Sequence, residues 1–419
     1  MEKIISLELS TENTVIGIRY YALLKLPAED YEILDTIQKL RAVDREKNIE
    51  IEVLESKLLP ELRNVRLDSP TIYELNFFAK RLTSMSEEEQ VVWKGVIHQV
   101  IPEDAEGELV SMKDLINSTY GLENVPIASN VAGLEDLGKL VMEYDMNEDV
   151  SAVPEDLRYL LDLGKIGRLQ QENDGGMFIG GHYVAAGQYE QPEIYDGENL
   201  PEQEEPEPFV FRLKVGKSPS DGTAETESDA EWITLPASRA EAEAVARKYH
   251  EPSISACACF GFISSIPQIT AKMFQMPDFE ALNSLAAFIA IMPPDFVKFK
   301  AALLAERPAD VCGALDIAKH LSEYEFSSGA GFEEVFFEEY ISRNMGDGFD
   351  YGWLKGMFTD EAGKKLLQRL GACMTEYGAI SARGHSLYEF VPYNDPETAK
   401  SETQEIEEED SQTGGMTVT

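Results

Sequence analysis

Two stretches in opposite halves of this chain read as one sequence written twice. Pro70, Ile72, Leu75, Asn76, Ala79, Leu82 and Met85 recur, at a single spacing, as Pro277, Phe279, Leu282, Asn283, Ala286, Ile289 and Met292. Leu26-Pro27-Ala28 returns as Leu235-Pro236-Ala237. Gly133-Leu134-Glu135-Asp136-Leu137 returns as Gly331-Phe332-Glu333-Glu334-Val335, and Gly181-His182 as Gly384-His385. The spacing drifts between blocks, as insertions and deletions in loops make it do. An internal repeat constrains the fold more than any local propensity, because each copy must build the same core. The chain therefore reads as a tandem duplication of a domain-sized unit.

Charge is the second constraint. The chain holds 77 acidic residues against 36 basic ones, a formal charge of −41, yet 43% of its residues are hydrophobic. That apolar content separates it from disordered acidic chains, in which high charge accompanies low hydrophobicity. Self-repulsion on this scale works against compactness, so the acidity calls for a reason. Without a cationic patch to hold phosphates, direct nucleic-acid binding is disfavoured and a basic partner is favoured. The charge is also placed alike in both copies. Residues 101–150 carry 12 acids and 2 bases, and residues 301–350 carry 11 and 3, whereas 251–300 carry 4 and 3.

Four cysteines in 419 residues point to a reducing compartment rather than a disulfide framework. The start, Met1-Glu2-Lys3, opens no long apolar signal segment. The apolar run from Ala281 to Pro294 contains Asn283 and Ser284 and is too short to span a bilayer. A cytoplasmic location in a bacterial host is the expectation.

The first copy is placed at 1–190 and the second at 208–394. An acidic, proline-containing linker is placed at 191–207, around the stretch Glu202 to Pro208, and a disordered acidic tail at 395–419. Within each copy the pattern predicts a small α/β module, a helical bundle and a second small α/β module, an elongated α+β architecture. Strands are expected over 20–26 and 49–53 around a helix over 29–40, matched by 232–235, 239–250 and 254–263. Apolar positions 72, 75, 78, 79 and 82 give one buried helix face, and Ser86 with Glu89 has capping-box spacing. Further helices are expected over 111–119, 134–144 and 157–170.

Enzyme motifs are missing. Asp174-Gly175-Gly176 and Gly180-Gly181 lack both the spacing and the following helix of a phosphate loop, and read as turns. Cys257 and Cys259 alternate in an apolar strand with their thiols on one face, and Cys312 and Cys373 stand alone, so no zinc set forms. The histidines make no short metal motif, and His182 and His385 follow glycines in turn contexts. No pair among so many carboxylates stands out as a general acid and base. The chain is expected to be no enzyme and to need neither cofactor nor metal.

The acidic clusters carry the functional reading. In the first copy they are Glu87, Glu88 and Glu89; Glu103, Asp104, Glu106 and Glu108; and Glu135, Asp136, Glu143, Asp145, Glu148 and Asp149. In the second they are Glu323, Glu325, Glu333, Glu334, Glu338 and Glu339. DNA carries a charge about every 3.4 Å along each strand, and helix carboxylates one turn apart lie about 5.4 Å apart along the axis. Rigid helices bearing such carboxylates can therefore imitate a ladder of phosphates.

The residues also resemble a family, the ArdA-type antirestriction proteins. In the second copy the similar pieces run in order: Glu231-Trp232-Ile233-Thr234-Leu235-Pro236, Phe279-Glu280-Ala281-Leu282-Asn283, Gly378-Ala379-Ile380-Ser381, then His385 before Tyr388-Glu389-Phe390-Val391. In the first, the run Tyr159 to Arg168, with Asp162 and Gly167, resembles the family's antirestriction motif. Leu169 departs from the acidic residue that commonly follows the motif, and in the second copy Phe358 to Leu370 has lost it. The resemblance implies three small domains per copy and surface carboxylates standing in for phosphates. It implies inhibition of a type I restriction-modification enzyme at its DNA groove. A CRISPR effector nuclease is the alternative target, and an acidic scaffold or chaperone for basic proteins the alternative role. The family's motif region is associated with self-association; here a monomer acting as a pseudo-dimer, or a weak homodimer, is expected.

Overall fold

The computed structural model describes residues 2–13, 18–41, 49–101, 106–201, 209–218, 229–292, 296–328, 333–345, 358–359 and 361–382. The stretch Glu202 to Pro208, the tail over 395–419 and His385 lie outside the described residues. Helices and several small sheets form two compact units. The first takes Met1–Ser10, Tyr21–Ile33 and Ile49–Glu205; the second takes Thr11–Tyr20, Leu34–Asn48 and Pro206–Thr419.

The chain opens with β1 (Ile5–Asn13) and β2 (Ile18–Leu26), then helix α1 (Asp30–Arg41) and β3 (Glu50–Ser56). The strands lie in the order β2-β1-β3, with β1 antiparallel to β3 and a register irregularity between Ser6 and Leu7. Ile5, Leu7 and Leu9 are buried while Ser6 and Glu8 are less so, the alternation that a pleated strand imposes. Strand β1 went unanticipated. A short parallel pair joins β4 (Arg66–Leu67) to β5 (Leu109–Val110).

The helical block contains α2 (Ile72–Ser84), α3 (Glu87–Ile97) and α4 (Met112–Asn117). Both longer helices begin in full capping boxes, Thr71 with Glu74 and Ser86 with Glu89, which satisfy otherwise orphaned N–H groups. Leu75, Phe78, Ala79 and Leu82 bury one face of α2. Trp93 packs edge-on to Phe78 at 6.0 Å and donates its indole N–H to Ser118 Oγ at 3.1 Å. Part of the segment read as linker is packed here. Tyr195 is 2% exposed, and its backbone N–H donates to Asn117 Oδ1 at 2.7 Å while its hydroxyl reaches Glu74 at 2.9 Å.

Unit one continues with β6 (Ile127–Ser129), α5 (Leu134–Glu143), α6 (Glu148–Ser151), α7 (Leu163–Asp174), β7 (Met177–Ile179) and β8 (His182–Val184). The strand order is β6-β8-β7, antiparallel throughout. Gly180 and Gly181 both have positive φ between β7 and β8, the geometry of a tight hairpin turn. The helix expected over 157–170 is broken. A 3-10 turn covers Glu155–Leu160, and α7 starts afresh because Asp162 caps it by accepting the Lys165 N–H at 3.1 Å.

Unit two has its own strands and helices. β9 (Phe211–Gly216), β10 (Glu231–Leu235), α8 (Arg239–Lys248) and β11 (Ala258–Ser264) give an antiparallel sheet of order β10-β9-β11. The strand expected from residue 254 starts later, after a 3-10 turn over Ile254–Ala256. Cys257 therefore lies outside the strand, and the thiols do not share a strand face; burial pushes both upward, Cys257 to about 11. Helices α9 (Phe279–Ala290), α10 (Phe296–Glu306) and α11 (Val311–Lys319) follow. The chain then forms β12 (Tyr324–Ser327), α12 (Glu333–Met345), α13 (Ala362–Leu370), β13 (Ala372–Thr375) and β14 (Gly378–Ala382), with strand order β12-β14-β13.

Atomic detail recurs as well. The Leu26–Pro27 and Leu235–Pro236 bonds are both cis. After the first, the Ala28 N–H donates to Asn76 Oδ1 at 2.6 Å and the Ala28 carbonyl accepts from Asn76 Nδ2 at 2.9 Å. After the second, Ala237 makes the same pair of bonds with Asn283, at 2.8 and 2.9 Å.

Candidate partner-binding surface

In unit one the acidic helix α5 lies against α7 at backbone contact. A Cβ placed on Gly138 would come within 2.0 Å of the Leu163 carbonyl oxygen, and one on Gly167 within 1.9 Å of the Leu134 oxygen. Only glycine permits so close an approach. Beneath the crossing lies a small core of Val131, Leu137, Val141, Val150, Ile166 and Tyr183. Unit two repeats the device: a Cβ on Gly363 of α13 would meet the Glu333 oxygen of α12 at 2.2 Å. Gly175 and Gly371, both left-handed, end α7 and α13.

The antirestriction-like run thus separates into distinct structural roles. Gly167 makes the crossing and Asp162 caps α7. Arg168 is exposed, and Tyr159 is 80% exposed on the 3-10 turn beside exposed Leu157 and Leu160. Just before it, Arg158 ties the preceding loop together. Its guanidinium donates to Asp145 Oδ1 at 3.0 Å and to the carbonyls of Ser151 and Val153 at 2.9 and 3.1 Å.

The crossing holds carboxylates in place. Glu135, Glu143 and Glu148 are exposed and make no ion pair among the described residues. Glu135 and Glu143 are about 12 Å apart along the axis at 1.5 Å per residue, the rise of three to four nucleotides at about 3.4 Å each. Asp136 pairs with Lys139 at 3.1 Å, and the exposed Asp145 is held by Arg158 at 3.0 Å, so these two are braced by a cation while still reaching solvent. The side chain of Asp149 is outside the described residues, as are Glu103 and Asp104; of that cluster Glu106 and Glu108 are exposed. Glu87 and Glu88 are exposed at the start of α3. Glu89 is occupied by its cap, where the backbone N–H and the hydroxyl of Ser86 hold its carboxyl below the ordinary value.

In unit two, Glu323, Glu325 and Glu334 are exposed, while Glu333 and Glu338 are half-buried. Glu339 is structural: it accepts from Ser327 Oγ and pairs with Arg343 at 3.2 Å. Glu89, Asp136 and Glu339 have partners within one helical turn and could have been told apart from the displayed acids by spacing; only the Asp145–Arg158 and Glu339–Ser327 contacts span longer separations. Sequence reading passed over Gly138 and Gly363, whose signal was a small residue on an otherwise apolar helix face.

Among the described residues no group of three His, Cys, Asp or Glu side chains is placed to hold a metal ion. His182 lies in β8 with its Nδ1 buried and unbonded. No helix among the described residues is long and apolar enough to cross a membrane. No protein-family model, curated protein or solved structure matches the chain.

Proposed function

We propose that this chain is a non-enzymatic DNA mimic, a tandem duplication of an ArdA-type unit that inhibits a DNA-targeting defence enzyme by occupying its DNA groove. The carrying observation is that each of the acidic helices α5 and α12 is locked by glycine at backbone contact against a neighbouring helix, α7 and α13. Surface carboxylates on a helix that cannot slide keep a fixed spacing, which a phosphate imitation requires. Duplication is supported by the matching strand orders in both sheet pairs and by the twin Asn76 and Asn283 clamps. The choice of a type I restriction-modification enzyme rests on the resemblance of the motif run and of the ordered pieces in the second copy. The exposed Leu157, Tyr159 and Leu160 suit the self-association that the resemblance implies.

Binding of this kind competes with DNA and weakens with salt, because it draws on screened charge and counterion release. The test is inhibition of a purified type I enzyme at rising DNA and rising ionic strength, beside capture of partners from a restriction-proficient host. Inhibition indifferent to both variables removes the mimicry reading. Capture of a CRISPR nuclease alone would change the target, and capture of mixed basic proteins would favour a scaffold.

A further inference from the structure

Unit two encloses a cluster of charged groups that a surface role does not use. Lys300 on α10 is 1% exposed, among buried Phe299, Ala301 and Ala302. Its ammonium donates to Asp35 Oδ1 and, at 3.0 Å, to Gln38 Oε1, and it lies 4.7 Å from the Phe296 ring centre. Asp35 is 4% exposed; the same oxygen accepts the hydroxyl of fully buried Tyr377 at 2.7 Å, and Oδ2 pairs with Lys39 at 3.1 Å. Lys39 in turn reaches Glu376 at 3.0 Å, and Gln268 donates to the Tyr377 hydroxyl at 2.8 Å. Burial lowers Lys300, partly offset by Asp35. For Asp35 burial acts upward, but the bond and charge of Lys300, with Tyr377 and Lys39, outweigh it and hold the carboxyl below its ordinary value.

Asp35, Gln38 and Lys39 all come from α1, which enters unit two through Leu34–Asn48. The repeat makes this pairing one-directional. At the spacing of the Leu-Pro-Ala step, Asp35 corresponds to Ala244 of α8; at the spacing of the Pro70 block, Lys300 corresponds to Trp93 of α3. Each copy thus carries one half of the ion pair and lacks the other. A chain segment beginning at Pro206 would leave Lys300 without Asp35 and Gln38, the α1 groups that hold its ammonium, and breaking a buried pair on one side is strongly destabilising.

We propose that the surface around Lys300 and Tyr377 is a docking site for α1, and that the second half of the chain is complete only with that helix in place. The asymmetry of Asp35 and Lys300 selects α1 over α8 as the occupant.

The test places a protease site between Glu202 and Pro208 of the full chain, cuts the folded protein and follows the fragments by size exclusion and native mass spectrometry. The expected result is one 1:1 complex that persists in high salt, since buried pairs are little screened. Asp35→Ala should raise the fragment dissociation constant at least about 100-fold, by the rule for a buried pair broken on one side. Where that variant unfolds the second fragment, Asp35→Leu combined with Lys300→Met decides the matter. Recovery of a folded complex supports the docking pair. Separation of the wild-type fragments on the column, unchanged association of Asp35→Ala, or additive losses in the double variant would each overturn it.

Discussion

The sharpest quantitative consequence of the helix crossing concerns Gly167→Ala. In an ordinary helix interior the change stabilises by about 1 kcal/mol through propensity. Here the new methyl carbon would stand 1.9 Å from the Leu134 carbonyl oxygen, with the Leu134 carbonyl carbon at 2.8 Å and the Gly138 nitrogen at 3.1 Å. These are backbone atoms, which cannot rotate aside as a side chain does, so α5 and α7 must part. Separations below 3.0 Å are essentially never seen for real Cβ atoms, so the helices must move by at least about 1.1 Å. That displacement loosens Leu137, Val141 and Ile166 together. Overpacking of this kind costs about 1–3 kcal/mol, and with a rigid obstacle the upper end applies. Net of the propensity gain, about 2 kcal/mol of destabilisation is expected.

Gly164→Ala is the internal control. It lies on the same helix, three residues earlier, and its Cβ would meet only Asp162 Oδ1 at 3.4 Å and Glu135 Cγ at 4.0 Å. It should be neutral or stabilising by up to about 1 kcal/mol. Urea unfolding of both variants measures the difference, and inhibition by folded Gly167→Ala, whose net charge is unchanged, shows whether carboxylate placement matters. If Gly167→Ala proves as stable as Gly164→Ala, the backbone crossing is not what positions α5.

Three further outcomes are expected. Single changes of Glu135, Glu143 or Glu148 to Gln should alter inhibition by no more than about 1 kcal/mol, as exposed charges do, whereas the triple change should weaken it by more than any single one; a single change that abolishes inhibition in a folded protein would point to a hot spot instead. Asn76→Ala strands the N–H and carbonyl of buried Ala28 and should lower stability by about 2–4 kcal/mol in thermal or urea unfolding, with a smaller loss for Asn283→Ala because that residue is half-buried. Because the Asp35 carboxyl is held below its ordinary value, its contribution is present above the unfolded-state pKa, near 3.9, and is lost as the pH falls through the folded value. Comparing the pH dependence of unfolding with that of Asp35→Asn between about pH 5 and 2 should show a shallower acid slope in the variant.

Much of the fold could be read from local chemistry. The capping pair at Ser86–Glu89 opens its helix because both partners lie within one turn. Elements decided by distant partners were harder to see. Strand β1 alternates Ile5, Leu7 and Leu9 with polar residues, but acidic and hydroxyl residues in the run masked its half-buried face. Tyr195 sits in a polar, proline-containing stretch that reads as linker, and only the side chain of Asn117, far away in sequence, reveals that it packs. Asp35 and Lys300 look like solvent-facing charges on amphipathic helices until each is seen to bury the other. The acidic surface was legible as composition. Which carboxylates are displayed and which are braced depends in part on Lys139 and Arg343, at helical spacing from Asp136 and Glu339, and in part on Arg158 and Ser327, whose contacts cross loops and cannot be read from spacing.

The two kinds of acid divide the work of carrying so much negative charge. Like charges crowded on a surface push the elements that bear them apart, and a helix held only by interdigitating side chains has room to yield. Glycine contacts at Gly138, Gly167 and Gly363 remove that room, because carbonyl oxygens already touch the opposing backbone. Braced acids such as Asp145 and Glu339 contribute to the frame, each joined to an arginine and a hydroxyl. The exposed Glu135 and Glu143 of α5, by contrast, have no ion-pair partner among the described residues. On the proposed reading their repulsion is part of the driving force for binding, since a groove lined with lysine and arginine supplies the counter-charges that the chain withholds from itself. It follows that adding lysines beside Glu135 and Glu143 should stabilise the fold and weaken inhibition together, a pairing of effects that a purely structural role for these acids does not produce.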